Sequence, residues 1–124
     1  MDMDLNLVSK GQFTNYSASS VTIQGAEYSQ NILVFNDQIS QFDVHDIKDL
    51  TLENLADIIA NKPDLIIFGT GNKVIYPDFK LLEKINSYGI GFEIMPIPAL
   101  CRTYNFLISE SRRVICILFF EEKW

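Results

Sequence analysis

The spacing of apolar and polar positions identifies strands in the first third of the chain. In SVTIQG, Val21 and Ile23 alternate with polar residues before a turn at Gly25. NILVFND is a continuous apolar run that closes at Asn36 and Asp37, and the weaker alternation of QISQFDV follows it. Two such runs joined across an Asn-Asp pair predict an antiparallel hairpin.

The spacing becomes helical after residue 50. In TLENLADIIANKP the apolar residues recur at helical intervals, with Thr51 as the predicted N-cap and Pro63 as the stop. The apolar run that follows predicts a strand covered on both faces. DFKLLEKINSYG predicts a second helix, capped by Asp78 and ended by Gly89. The positions of this helix expected to face the core are Phe79, Leu81, Leu82 and Ile85.

The last third continues the alternation of helix and strand. GFEIM predicts a strand, a helix over Ala99–Ser109 is expected after Pro96 and Pro98, and RVICILFF predicts a long apolar strand. Strands first, then alternating helices and strands, predict an α/β fold in a single domain over residues 1–124, with three layers around a mixed central β-sheet. The strand–helix–strand unit over Leu65–Met95 is expected to place its two strands parallel.

Composition narrows the classes of protein that fit this pattern. The chain has 124 residues, 48% of them hydrophobic, and a formal net charge of -6. An acidic chain without a Lys/Arg cluster repels phosphate backbones, which argues against nucleic-acid binding. No apolar run approaches the length of a membrane span, so no integral membrane segment is expected. The acidic start MDMDLNLVSK lacks the pattern of a secretory signal or transit peptide, and the expected location is cytoplasmic.

Metal and thiol chemistry find little support in the sequence. Cys101, Cys116 and His45 are the only Cys and His residues, and a structural zinc site needs four ligands. We therefore expect no metal and no cofactor. Cys101 lies near the start of a helix beside Arg102, which favours a thiolate, yet packing in the core is the preferred interpretation. Cys116 lies in an apolar strand and is expected to be core, and His45 is interpreted as a surface or loop residue.

The stretch LIIFGTGNK resembles a phosphate-binding loop, because an apolar strand ends in Gly69-Thr70-Gly71. The dinucleotide fingerprint requires a third glycine where this chain has Val74, and the next helix begins only at Asp78. The preferred interpretation is that both glycines allow backbone geometry that a side chain would block. An open anion site at these backbone amides remains the alternative.

The stretch CRTYNFLISESRRV predicts a helix with two distinct faces. Leu100 and Tyr104 belong to an apolar face, whereas Arg102, Asn105 and Ser109 form a polar one. Arg102 has two interpretations, an anion pocket beside the glycine loop or an ion pair with a residue such as Glu110 that fixes the helix. The candidate pocket residues are Gly69, Thr70, Gly71, Arg102, Thr103 and Asn105.

Together with GTG and GIGFEIM, this stretch resembles a domain family of unknown function over nearly the whole chain. That family contains the mitochondrial complex I (NADH dehydrogenase) assembly factor 3, the adipogenesis-associated domain protein and many small bacterial and archaeal proteins. The resemblance implies a three-layer domain with a mixed sheet, no established catalysis and action by protein contact. Two features depart from the family: Pro96-Ile97-Pro98 replaces a frequent Asp-Thr-Gly, and the start of the chain lacks a mitochondrial address.

Two functional hypotheses follow. The first is a non-catalytic, protein-interaction or assembly-factor-like domain whose protein partner is not identified by the sequence. The second is a small anionic ligand binder, or an enzyme, that uses the cleft around Gly69-Thr70-Gly71 and Arg102. A homodimer is a further expectation, based on the apolar residues Phe106, Phe120 and Trp124.

Overall fold

The computed structural model describes residues 11–36 and 38–121. Within these ranges the chain forms eight strands and three α-helices. The strands are β1 (Phe13–Tyr16), β2 (Val21–Ile23), β3 (Ala26–Tyr28), β4 (Ile32–Phe35), β5 (Gln38–Gln41), β6 (Leu65–Thr70), β7 (Gly91–Met95) and β8 (Val114–Phe119). The helices are α1 (Ala56–Ala60), α2 (Phe79–Ser87) and α3 (Ile97–Ile108), with 3-10 turns at Ile47–Asp49 and Glu53–Leu55.

The strands form two sheets. Strands β1, β2 and β3 make a small antiparallel sheet. The other five strands make the central sheet in the order β5-β4-β8-β6-β7. Strand β6 is parallel to both of its neighbours, whereas β4 is antiparallel to β5 and to β8. The prediction of a mixed central sheet with a parallel β6–β7 pair is confirmed.

The alternation of side chains along β8 shows why the domain has three layers. Successive residues of a strand point to opposite faces, and every residue of β8 is buried. One face of the central sheet packs against α3 and the small sheet, and the other packs against α1 and α2. The β8 residues on the first face are Val114, Cys116 and Leu118, and those on the second are Ile115, Ile117 and Phe119.

The capping signals predicted for α2 are confirmed, whereas Thr51 is not the N-cap of α1, which begins only at Ala56. The Asp78 carboxylate accepts the backbone N–H of Lys80 at 3.0 Å and starts α2. Gly89 follows the helix with φ +80°, in the left-handed region that favours glycine. Thr51 and Asn54 exchange side-chain and backbone hydrogen bonds in the manner of a capping box, although only five residues, Ala56–Ala60, become α-helical.

Three predictions about the elements were wrong or incomplete. Phe79 was expected in the core but is 68% exposed, because it is the first residue of α2 and points away from the sheet. Helix α3 begins at Ile97 rather than Ala99, since a proline such as Pro98 is tolerated in the first turn, where its missing N–H costs nothing. The short strands β1 and β3 were not predicted.

Arg113 ties the end of α1 to the central sheet. Its guanidinium donates to the backbone carbonyls of Asn61 and Lys62 and lies 5.2 Å from the centre of the Phe35 ring. Its own backbone N–H donates to the carboxylate of Asp64 at 3.0 Å. Arg113 is exposed, yet these contacts give it a structural role.

Candidate functional site

A cleft lies at the carboxyl ends of the parallel strands β6 and β8, the edge at which open α/β sheets usually bind ligands. Its cavity has a volume of about 320 Å³. The polar residues in its lining include His45, Thr70, Lys73 and Glu121, and Gly71 forms part of the wall. The glycine loop identified in the sequence lies at this cleft.

Gly69 is explained by packing rather than by ligand binding. It lies in β6 and pairs with residues of β7 and β8 on either side. A Cβ added there would lie 2.8 Å from Cδ1 of Leu100 and 3.3 Å from Cγ1 of Ile97. Only a residue without a side chain lets α3 approach β6 this closely.

Thr70 organises the loop that leaves β6. Its side chain is buried, and its hydroxyl donates to the backbone carbonyl of Lys73. The same oxygen accepts the backbone N–H of Ile75 at 3.1 Å. Since both functions of the hydroxyl are used by the backbone, Thr70 holds the course of the loop.

The backbone amides after Thr70 are already occupied. Gly71 has φ +39°, and its N–H donates to the carbonyl of Phe119 at 3.1 Å. The N–H of Asn72 donates to Oε2 of Glu121 at 2.8 Å. A Cβ on Gly71 would overlap the Glu121 side chain. The proposed anion position at the Asn72 amide thus holds a carboxylate from the same chain.

The candidate residues on α3 lie apart from this cleft. Asn105 binds β1, because Oδ1 accepts the N–H of Phe13 at 2.8 Å and Nδ2 donates to its carbonyl at 2.9 Å. Arg102 is exposed and Thr103 is half-buried, and neither lines the cavity at Thr70. No ion pair joins Arg102 to Glu110. The structure therefore brings together the glycine-loop residues and separates them from the helix residues.

Both cysteines are buried and protonated at neutral pH. Burial raises the pKa of the Cys101 thiol to about 12, and the nearby positive charge of Arg102 offsets only part of this effect. Burial also raises the pKa of Cys116 well above its usual value, and a thiolate at Cys101 would raise it further. A raised thiol pKa favours the neutral form, so neither side chain is an activated nucleophile.

We expect the thiols of the native protein to resist alkylation. Iodoacetamide at pH 8 should leave Cys101 and Cys116 unmodified, because the reactive thiolate is suppressed by burial, and should modify both after denaturation. Mass spectrometry of the intact protein measures both states. Modification of native Cys101 as fast as that of a free thiol would show that α3 opens or that the thiol is ionised.

His45 and Glu121 join this cleft to a larger neighbouring cavity, and the sequence did not predict that arrangement. Both residues line the second cavity, which has a volume of about 670 Å³. Asn31 fixes this region: its side chain donates to the carbonyls of Val44 and His45 and accepts the N–H of Phe120. Because these residues are far apart in the chain, no local pattern connects them.

A metal site is not indicated for the part of the chain that the structure describes. No group of three or more His, Cys, Asp or Glu side chains there is placed to hold a metal ion. The histidine and the two cysteines lie on different elements, and both thiols are in the core.

The comparison with known protein families decides the affiliation of this chain. A family model described as "Protein of unknown function (DUF498/DUF598)" matches residues 13–119. The chain belongs to this family. The match covers β1 to β8, so it includes the glycine loop and α3 as well as both sheets.

Relatives in the family differ in what their names state. The 13 kDa major membrane protein of Francisella tularensis subsp. holarctica is 28% identical over 108 residues, which are 86% of this chain and 88% of the relative. The NADH dehydrogenase [ubiquinone] 1 alpha subcomplex assembly factor 3 of Xenopus tropicalis is 29% identical over 99 residues. That match covers 78% of this chain and 54% of the factor, so the chain spans about half the length of the assembly factor.

A solved structure supports the fold. The NMR structure of a Xanthomonas campestris protein superimposes with a TM-score of 0.80 at 24% identity, over 94% of this chain and 92% of that one. At this identity the likeness shows the fold alone. The family resemblance and the fold class predicted from the sequence are confirmed. Among the described helices, none is long and apolar enough to cross a bilayer.

Proposed function

We propose that this chain is a non-catalytic protein-interaction domain that acts in the manner of an assembly factor, in the cytoplasm. The named assembly-factor relatives support the proposal. The contacts of the polar and thiol side chains also support a non-catalytic role. The Thr70 hydroxyl and the Asn105 amide bind backbone atoms, and both thiols are buried. These groups stabilise the fold and are not presented to a substrate.

The observation that carries the proposal is the outer face of α3. Phe106 is 63% exposed, and Arg102 lies one turn before it on the same side of the helix. No hydrogen bond or ion pair joins the Arg102 guanidinium to another described residue. Aromatic residues and arginine are enriched at protein interfaces, where they often supply most of the binding energy. We infer a partner protein that offers an apolar pocket bordered by carboxylates.

Affinity capture with quantitative mass spectrometry tests this function. Wild-type protein should retain a partner from native lysate, and Phe106→Ser should lose that partner. Arg102→Gln should weaken binding of the partner, and the difference from wild type should be largest at low salt, where charge attraction is strongest. Tyr76→Ser, which changes an exposed aromatic residue outside α3, is the matched control. An unchanged set of captured proteins in Phe106→Ser would contradict the proposal. Light scattering shows whether the retained partner is a second copy of the chain.

One observation favours a second candidate, a small anionic ligand at the cleft. The Asn72 amide holds the Glu121 carboxylate, and Lys73 lines the same cavity, so the site accepts negative charge. Glu121→Gln should weaken this internal contact and allow carboxylates or phosphates to bind. A thermal-shift screen of both proteins tests it, with Arg102→Ala to reveal any contribution from α3. If no carboxylate or phosphate changes the melting temperature of the wild type or of the Glu121→Gln variant, this second function is excluded.

A further inference from the structure

The loop between β6 and α2, together with the first residue of α2, exposes an unusual group of apolar side chains. Six large hydrophobic residues are exposed in the part of the chain described by the structure, and four of them lie within residues 74–79. The four, here called the apolar loop, are Val74 (43% exposed), Ile75 (41%), Tyr76 (53%) and Phe79 (68%). Contiguous exposure of this kind marks a binding surface rather than ordinary surface variation.

The loop is held in place although its side chains are exposed. Thr70 binds backbone atoms of Lys73 and Ile75, Pro77 is buried, and the Asp78 side chain caps α2. The rings of Tyr76 and Phe79 contact each other with their centres 5.9 Å apart. The apolar groups are therefore presented by an anchored backbone, and little conformational entropy is lost when they bind.

Lysines on both sides of the apolar loop indicate what kind of surface it binds. Lys73 precedes it, and Lys80 and Lys84 lie one turn apart on the exposed side of α2. Their ammonium groups make no hydrogen bond or ion pair with another described residue. Asp78 and Glu83 are the acidic residues between Lys73 and Lys84, and the Asp78 carboxylate is used as a helix cap.

We propose that the apolar loop inserts into the interface of a lipid bilayer, with Tyr76 and Phe79 at acyl-chain depth and the three lysines at the headgroups. Aromatic residues bordered by lysine are typical of segments that lie in a membrane interface. Protein interfaces, by contrast, are depleted in lysine and enriched in arginine, as on the outer face of α3. Within residues 73–84 the three lysines outnumber the two carboxylates by one, and charges more distant than about 8 Å are screened at physiological ionic strength, so the expected electrostatic attraction is modest.

Vesicle co-sedimentation of the full chain tests the proposal. The probes are phosphatidylcholine vesicles and vesicles that also contain about 30% phosphatidylglycerol, an anionic lipid. Wild-type protein should bind both and bind the anionic vesicles better. The double variant Tyr76→Ser/Phe79→Ser should lower the partition coefficient roughly tenfold on both, because it removes apolar area from the inserted loop. Circular dichroism and thermal melting verify that the variants fold, which their surface position favours.

Two control variants separate this proposal from its alternatives. Phe106→Ser changes a similarly exposed ring on α3 and should leave vesicle binding unchanged. Failure of the membrane proposal can therefore be distinguished from failure of the protein contact proposed for α3. Lys73→Gln/Lys80→Gln/Lys84→Gln should reduce binding to anionic vesicles only. Equal binding by wild type and Tyr76→Ser/Phe79→Ser would overturn the proposal. So would loss of a soluble protein partner by that variant without any change in vesicle binding.

Discussion

Tyr104→Ala is expected to lower the free energy of unfolding by about 4 kcal/mol, the cost typical of emptying a large aromatic site. Tyr104 is fully buried in α3 and packs edge-to-face on Phe13, with ring centres 5.5 Å apart. Its hydroxyl donates to the carbonyl of Asn36 at 3.2 Å. The residue therefore joins α3 to both the small sheet and the β4–β5 turn. Urea denaturation followed by circular dichroism measures the loss.

The conservative variant Tyr104→Phe separates the ring from the hydroxyl. It keeps the contact with Phe13 and removes the hydrogen bond to Asn36, so a loss of about 1 kcal/mol is expected. Equal losses for the two variants would contradict the assignment of most of the stabilisation to ring packing.

Gly69→Val is expected to destabilise the protein by about 3 kcal/mol, at the upper end of the usual cost of overpacking a core. The new Cβ would meet Cδ1 of Leu100 at 2.8 Å and Cγ1 of Ile97 at 3.3 Å. Helix α3 would have to move away from β6 and would lose contacts along the apolar core. Thermal melting reports the loss, and near-ultraviolet circular dichroism reports the change in packing.

Gly25→Ala is the matched control for Gly69→Val. Gly25 has φ +80° and no atom within 4 Å of an added Cβ, so only backbone strain of about 1 kcal/mol is expected. A double-mutant cycle with Leu100→Ala adds a second check, because removing the Leu100 side chain should reduce the cost of the Gly69 substitution. Strict additivity would argue against the proposed clash.

The fold was predictable where burial is continuous or where a cap is local. The apolar runs of β6 and β8 and the cap at Asp78 each appear within a few residues of sequence. Strands β1 and β3 were missed because each is three or four residues long and only partly buried, so little alternation is visible. Phe79 was misplaced because helical spacing does not show that the first residue of α2 lies beyond the edge of the core.

The candidate site was less predictable than the fold, because its key contacts are distant in sequence. The position of the glycines at the end of a buried strand was predicted. The partner of the Asn72 amide, Glu121, lies 49 residues later, and no local pattern connects them. Asn105 was interpreted as a pocket residue, yet it binds Phe13, which is 92 residues away. Polar side chains that hold backbone across the fold resemble ligand-binding residues when only the sequence is seen.

The central position of β8 has a consequence for synthesis on the ribosome. Strand β8 lies between β4 and β6 and is the last strand of the described chain to be translated. Until residue 119 has left the exit tunnel, β4 and β6 have no strand between them, and both halves of the central sheet expose apolar edges. The β1–β3 meander and the β4–β5 hairpin can form earlier, since their contacts are local. Until β8 has been synthesised, the nascent chain therefore exposes unpaired apolar strand edges, a condition that favours aggregation.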